Sequence, residues 1–245
     1  MWRGHWYRLG LGLGLLWLAA CGVQLPDVLN RATLPPPTPM GDTLTWLVSS
    51  YNIELLAGQH VPGTQLYYLR QRDNAYDVSI DGQTIQKRPG DSFAWRGVVA
   101  PGVYGVYNLR LQPVYLSNLQ VSGSVALTLF NPKPVEMSSL AGVTAPVYIP
   151  SVLVDYRVSP QRAIPGTTYV YLGLSGEFVQ LARAGGGALP LYAKGDTLVW
   201  QGQLRENVMV RYDLVIGSAE SDGTLNLRGS AAVWIRPTLT AAPPP

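Results

Sequence analysis

Glycine and proline recur throughout this chain, and their frequency limits the length of any regular helix. The 245 residues include 26 glycines and 20 prolines, about one helix-breaking residue in every five. Glycine loses the most conformational entropy on folding, and proline lacks a backbone donor. Only 13% of the residues are charged, against about 25% in an average globular domain. These features exclude helical bundles, coiled coils and highly charged disordered chains, and they favour a β-rich, turn-rich fold.

Charge and the scarcity of cysteine and histidine narrow the possible functions. The formal charge is +3, and Arg3 and Arg8 lie in a segment that we expect to be removed. A nearly neutral mature chain with dispersed basic residues is not typical of nucleic-acid-binding proteins. Cys21 is the single cysteine, which excludes an internal disulfide and multi-cysteine metal sites. The two histidines, His5 and His60, leave little room for histidine-based catalysis.

The N-terminal sequence MWRGHWYRLGLGLGLLWLAAC predicts export. Basic residues and no acid precede an apolar run from Leu9 to Leu18, which is the layout of a signal peptide. The run is too short to span a hydrocarbon core, which needs about 20 helical residues. We therefore predict that residues 1–20 form a signal peptide.

Leu18-Ala19-Ala20-Cys21 resembles the lipobox of bacterial lipoprotein precursors. The resemblance implies cleavage before Cys21 and acylation of its thiol and new amino group. Two or more acyl chains suffice for stable membrane anchoring. The implied location is the outer face of the cytoplasmic membrane, the periplasmic side of an outer membrane, or the cell surface. The alternative is an ordinary signal peptide with an accidental cysteine.

Proline-rich segments flank the central part of the chain. Residues 21–42 include Pro35, Pro36, Pro37 and Pro39, which favour extended polyproline II, so we interpret this stretch as the lipidated cysteine and a tether. Residues 238–245 end in three prolines and are predicted to form a disordered tail.

Two copies of one sequence pattern lie between these segments. Residues 90–97 and 195–202 both read GD[ST]-apolar-x-W-x-G, and residues 62–64 match residues 165–167 as Pro-Gly-Thr. Together with two matches that follow the tryptophans, these form an ordered series at offsets of 103 to 106 residues. Such a series indicates tandem duplication of a domain-sized unit.

Alternating apolar residues within each copy predict strands with one buried face. From Val208 to Ile216 every second residue points inward and Met209 points outward, and residues 103–111 repeat the pattern. Earlier strands are predicted at residues 44–53, 65–70, 76–80 and 84–88, with a hairpin turn at residues 81–82.

This strand count predicts an all-β fold of two tandem β-sandwich domains. The boundaries are residues 43–131 for domain 1, 132–145 for a linker and 146–237 for domain 2. The module resembles bacterial immunoglobulin-like domains in size and style, although it lacks their cysteine pair.

Because side chains alternate between the two faces of a strand, the aromatic residues divide into core candidates and surface candidates. Trp95 and Trp200 fall on the apolar side, which predicts core positions rather than ligand platforms. Tyr67, Tyr104 and Trp234 are the surface-contact candidates, with packing against the neighbouring domain or capping of a sheet edge as their alternative roles.

We therefore expect a non-enzymatic cell-envelope lipoprotein that presents two β-sandwich modules to an envelope or surface partner. No catalytic residue, cofactor, metal or nucleic acid is expected, and the membrane is contacted through the lipid anchor. Alternatives are an extracellular polysaccharide-binding module and, third, a hydrolase that uses paired carboxylates. Outward aromatics in a groove would favour sugar binding, whereas an open strand edge would favour a protein partner.

The lipobox generates the first testable prediction. Cys21→Ser should release the protein into the soluble fraction or leave an uncleaved precursor, because the acylated thiol is lost. Membrane fractionation and mass spectrometry measure both results, with Ser49→Ala as the matched control. A wild-type mature protein without acyl chains would contradict the assignment.

Overall fold

The computed structural model describes residues 42–112, 118–187 and 189–237, and these belong to one compact unit. They form strands in antiparallel sheets and no helix, which confirms the all-β prediction. No helix of the described residues is long and apolar enough to cross a membrane. The predicted signal peptide, Cys21, the tether up to residue 41 and the tail lie outside the described residues.

The described strands are joined by tight turns and by longer loops. Their bounds are β1 Thr43–Leu55, β2 Leu66–Arg72, β3 Ala75–Ile80, β4 Gln83–Lys87, β5 Ser92–Ala100, β6 Val103–Leu111, β7 Leu119–Phe130, β8 Val135–Glu136, β9 Val147–Val158, β10 Arg162–Ala163, β11 Tyr169–Ser175, β12 Phe178–Arg183, β13 Thr197–Arg205, β14 Val208–Ala219 and β15 Leu225–Ile235. The predicted hairpin turn joins β3 to β4, where Asp81 and Gly82 have φ values of 49° and 79°.

The large sheets of the two halves share one strand order. In the first half (residues 43–130) a large sheet has the order β1-β7-β6-β5 and a small sheet the order β2-β3-β4. In the second half (residues 131–237) the large sheet reads β8-β13-β14-β15-β9 and the small sheet β10-β11-β12. Apart from β8, the large sheets correspond strand for strand.

A tryptophan links the large sheet to the small one in each half. Trp95 on β5 donates its indole N–H to Asp81 at 3.0 Å, and Trp200 on β13 donates to the Thr168 hydroxyl, also at 3.0 Å. The two residues are only 5% and 1% exposed. Their predicted core positions are therefore confirmed.

Most of the predicted alternation is also confirmed, with one error. The inward-facing residues on β6 and β14 are buried. Met209, expected to face solvent, is only 5% exposed. It lies opposite Trp234 on β15, whose ring stacks on Tyr148 of β9 at 5.0 Å. These aromatic rings cover part of the outer face.

Tyrosines accompany the two buried tryptophans. Tyr107 packs edge-on against Trp95 and Tyr51 at centroid distances of 5.6 and 6.0 Å. In the second half Tyr212 lies 6.1 Å from Trp200 and accepts a hydrogen bond from the Tyr156 hydroxyl at 3.4 Å. Burial raises the pKa of Tyr51 to about 12. These phenols are neutral parts of the core.

The two halves also contact each other. The Arg205 guanidinium donates to the carbonyl oxygen of Phe130 at 2.8 Å, and the Asn207 amide donates to that of Pro101 at 3.2 Å. The buried apolar side chains of both halves form one continuous cluster. No described strand of the first half pairs with a strand of the second.

The predicted boundaries at residues 43–131, 132–145 and 146–237 stay a prediction. The stretch expected to be a linker contains β8, which pairs with β13. The strand therefore adds hydrogen bonds to the second half.

The burial of Trp95 and Trp200 predicts that truncating either side chain destabilises the fold. Trp95→Ala and Trp200→Ala should each lower the free energy of unfolding by about 3–5 kcal/mol, because each removes a buried ring. Chemical denaturation measures the change. Val199→Ala, which truncates an exposed side chain on β13, is the control and should change it by less than about 0.5 kcal/mol. Unchanged stability in either tryptophan variant would contradict the core role.

Candidate functional site

The large sheets differ at one edge. In the second half, the backbone N–H of Met137 donates to the carbonyl oxygen of Gln201 at 3.0 Å, and that of Lys133 donates to Leu204 at 2.8 Å. The strand between them, β8, places Glu136 opposite Gly202 on β13. The edge of β13 is thus covered by a short extended segment of the chain.

A side-chain cluster holds β8 in place. The Glu136 carboxylate accepts hydrogen bonds from Arg183 Nε at 3.0 Å and from the Tyr169 hydroxyl at 3.4 Å. Burial, and next the negative charge of Glu136, raise the pKa of Tyr169. Hydrogen bonding to Glu136 raises the pKa of Arg183. Tyr169 and Arg183 lie opposite each other on β11 and β12.

The corresponding edge of the first half, the outer edge of β5, has no paired segment among the described residues. Gly97 pairs with Gly105 on β6 as Gly202 pairs with Val210 on β14. A Cβ at Gly202 would overlap both the Val135 carbonyl oxygen and the Trp200 ring, whereas the three atoms nearest to one at Gly97 all belong to the Trp95 ring. The Trp95 ring therefore accounts for the glycine in the first half.

A cleft of about 480 Å³ runs along this open edge. Both halves contribute to it, since Pro146 and Pro237 flank the large sheet of the second half. The lining residues are His60, Gly63, Thr64, Gln65, Tyr67, Asp81, Trp95, Arg96, Gly97, Val98, Val99, Pro146 and Pro237. Val98 is 69% exposed, so the strand borders solvent.

The cleft has an apolar wall and a polar rim. The rings of His60 and Tyr67 lie 5.2 Å apart at an angle of 40°. The carboxylate of Asp81 accepts the Trp95 N–H at 3.0 Å. Asp81 is the one carboxylate among the lining residues, so the described cleft does not assemble the carboxylate pair that glycoside hydrolysis uses. The cleft is therefore better suited to binding a ligand than to hydrolysing a glycosidic bond.

The residue pair that holds Glu136 is replaced in the first half. Leu66 and Ile80 lie opposite each other on β2 and β3, at the register that Tyr169 and Arg183 occupy on β11 and β12. An acidic side chain at the position of Glu136 would find neither a hydroxyl nor a guanidinium at this pair. The side chains beside the two edges therefore differ at this pair.

The three predicted surface aromatics do not form one site. Tyr67 lines the cleft. Tyr104 is half-buried on the outer face of the first large sheet, opposite Val98. Trp234, also half-buried, stacks on Tyr148 on the outer face of the second large sheet. The sequence interpretation missed the β5 edge, although glycines inside two strands were a signal of close backbone approach.

Several acidic side chains of the described residues are engaged in local contacts. Asp91 and Asp196 accept the backbone N–H groups of Arg88 and Ala193 at 2.9 and 2.8 Å. Asp77 pairs with Arg70 and with another arginine of β2. The described residues contain no group of three potential metal ligands.

Comparison of the chain with protein-family models, with curated proteins and with solved structures finds no match. The geometry of the site is therefore the basis for a functional proposal.

The tight contact at Gly202 yields a prediction for β8. Gly202→Ala should lower the free energy of unfolding by about 1–3 kcal/mol, because the added methyl overlaps the Trp200 ring and the Val135 backbone. Hydrogen exchange at the Met137 amide should also accelerate. Val199→Ala, which truncates an exposed side chain on β13, is the control for the exchange measurement. Unchanged protection of Met137 would contradict the packing argument.

Proposed function

We propose that this chain is an exported lipoprotein, anchored through Cys21, which binds an extended segment of a cell-envelope protein along the outer edge of β5. Its role is non-enzymatic. It presents two tandem immunoglobulin-like β-sandwich modules that arose by internal duplication. The sequence repeat and the matching strand order of the two large sheets support the duplication.

The observation that carries the proposal is the open edge of β5 beside a cleft. A sheet edge offers unpaired backbone groups to another extended chain. In strand addition, backbone hydrogen bonds supply affinity and side-chain pockets supply specificity. On β13 the carbonyl of Gln201 accepts such a bond from β8. The corresponding residue on β5 is Arg96. The backbone N–H and C=O groups of every second residue on an edge strand face outward, so those of Val98 are the next to do so.

The cleft also indicates what kind of segment fits. Trp95, Val99, Pro146 and Pro237 provide apolar surface, which suits an extended peptide with apolar side chains on alternate positions. Arg96, His60 and Asp81 add polar and charged groups to the lining. We therefore expect a strand-forming segment with apolar side chains on one face.

Polysaccharide binding is the second candidate, because one exposed aromatic pair favours it. Tyr148 is 49% exposed and stacks on Trp234 at an interplanar angle of 28°. Flat aromatic surfaces on a sheet stack on sugar rings. If this pair is the binding site, Tyr148→Ala should weaken polysaccharide binding, while changes on β5 should leave it intact.

Site-specific crosslinking tests the protein-binding role. A photoreactive amino acid at Val98 in the full-length lipoprotein, in its own membranes, should give one discrete protein adduct, because Val98 borders the open edge. The same group at Val199, exposed on β13, is the matched control and should not give that adduct. Val98→Pro, which removes the outward N–H, should reduce recovery of the same protein by at least tenfold with the crosslinker at Ala94.

Equal adducts at Val98 and Val199 would overturn the assignment of the site. Loss of polysaccharide binding in Tyr148→Ala with no adduct at Val98 would favour the second candidate.

A further inference from the structure

We infer that the two halves form an isologous pair, in which one surface of the module contacts the same surface of its second copy about an approximate two-fold axis. The partner that fits this surface is therefore another copy of the module, which the same chain supplies. In such a pair, every contact from the first half to the second has a counterpart in the opposite direction. Modules joined head to tail would contact each other through different surfaces. The inference does not depend on the proposed function.

The strand ladders show that Leu44 and Val147 occupy the same position in the two halves. Near the start of β1, Leu44 pairs with Leu129 of β7. At the start of β9, Val147 pairs with Ile235 of β15. Each of these partners pairs in turn with the first residue of the next strand in its sheet, β6 or β14.

Gly63 and Gly166 are a second pair of equivalent positions. Both follow proline in the sequence Pro-Gly-Thr, and their φ values are 77° and 72°. The threonine that follows, Thr64 or Thr167, donates its hydroxyl to the carbonyl oxygen three residues earlier, at 2.8 and 3.0 Å. The two glycines therefore lie in the same turn of the two halves.

These four residues contact each other across the halves in both directions. A Cβ on Gly63 would lie 3.0 Å from Cγ2 of Val147. A Cβ on Gly166 would lie 2.9 Å from Cδ1 of Leu44. The turn of each half thus packs against the equivalent aliphatic side chain of the other half. This reciprocity is the property that distinguishes an isologous interface from a head-to-tail one.

Elements near the inferred axis also contact their own counterparts. β1 lies beside β9 without backbone pairing. The turn between β5 and β6 lies against the turn between β13 and β14, since the Asn207 amide donates to the Pro101 carbonyl oxygen at 3.2 Å. In the same place, a Cβ on Gly102 would lie 2.6 Å from the Arg205 guanidinium. An element on a two-fold axis meets its own copy, so both contacts agree with one arrangement.

The shared surface is apolar and buried. Leu44 is 6% exposed and Val147 is 3% exposed. On the opposite faces of the same strands, Leu47 is 63% exposed and Leu153 is 79% exposed. Obligate homodimers bury apolar interfaces of this kind. We therefore expect the halves to hold together without a covalent connection.

The ends of the two halves cross in both directions. The Asn131 N–H donates to the carbonyl oxygen of Asp42 beside β1, and two residues later the Lys133 N–H donates to that of Leu204 on β13, both at 2.8 Å. In the opposite direction Pro237, two residues after β15, lines the cleft beside β5. Exchanged segments of symmetric dimers cross between subunits in the same way.

Hydrogen exchange tests the reciprocity in the full-length chain. Leu44→Ala should accelerate exchange of the Thr167 amide, in the second half, at least tenfold. Val147→Ala should accelerate exchange of the Thr64 amide, in the first half, by a similar factor. Both amides donate to backbone carbonyl groups within the equivalent turns. Each rate is measured relative to core amides of the same half, which separates local opening from global unfolding.

The matched controls are Leu47→Ala and Leu153→Ala, which truncate exposed side chains of β1 and β9. Both amides should exchange at the wild-type rate in these controls. Acceleration in one direction only, or confined to the half that carries the substitution, would overturn the inference.

Cleavage of the connecting segment tests whether the halves need a covalent link. A protease site inserted between Ala141 and Gly142, both exposed, allows the folded full-length chain to be cut. The two fragments should elute together in size-exclusion chromatography, at the position of the uncut chain. In the cut protein, Leu44→Ala should raise the dissociation constant of the fragments at least tenfold, and Leu47→Ala less than twofold.

The wild-type cut needs no core substitution, so it gives a result even where a variant fails to fold. Separation of the wild-type fragments under native conditions would overturn the inference. Equal dissociation constants for Leu44→Ala and Leu47→Ala would do the same.

Discussion

A strand at a sheet edge presents backbone N–H and C=O groups that either water or another chain segment must satisfy, and the two halves of the molecule differ in how they do so. Each large sheet is open, so each has outer strands whose N–H and C=O groups face away from the sheet. The second half satisfies β13 with β8, a segment of only two strand residues. The first half offers β5, with a cleft beside it. The difference between the halves is thus a difference in edge coverage rather than in core architecture.

The cores of the halves are similar because the same side chains connect the same sheets. A buried tryptophan donates from the large sheet to the small one in both halves, and a buried tyrosine packs against it. Around the edges, by contrast, Tyr169 and Arg183 have Leu66 and Ile80 as counterparts. Core positions tolerate little change in volume, whereas edge positions determine which strand is accepted. The differences between the two halves are therefore most informative at the edges.

Alternation of apolar residues predicted strands and buried faces well, because the period of side-chain direction in a strand is a local property. It was wrong for Met209, whose burial depends on Trp234 and Tyr148 packing on the outer face. Of the cleft, the sequence interpretation named Tyr67 alone as a contact residue. It did not predict that His60, Trp95, Pro146 and Pro237 would line the same space, because these residues are far apart in sequence and belong to different elements.

The sequence by itself determined the all-β class, the repeat, the hairpin turn at Asp81 and Gly82, and the core positions of Trp95 and Trp200. Each of these follows from spacing along a single strand, from turn chemistry or from self-similarity. Only the tertiary structure decided which strand edge is covered and which is open. A sheet edge is covered when a segment from elsewhere in the chain lies beside it in matching register, as residues 133–137 lie beside β13. Local sequence patterns do not show which segment lies beside which edge.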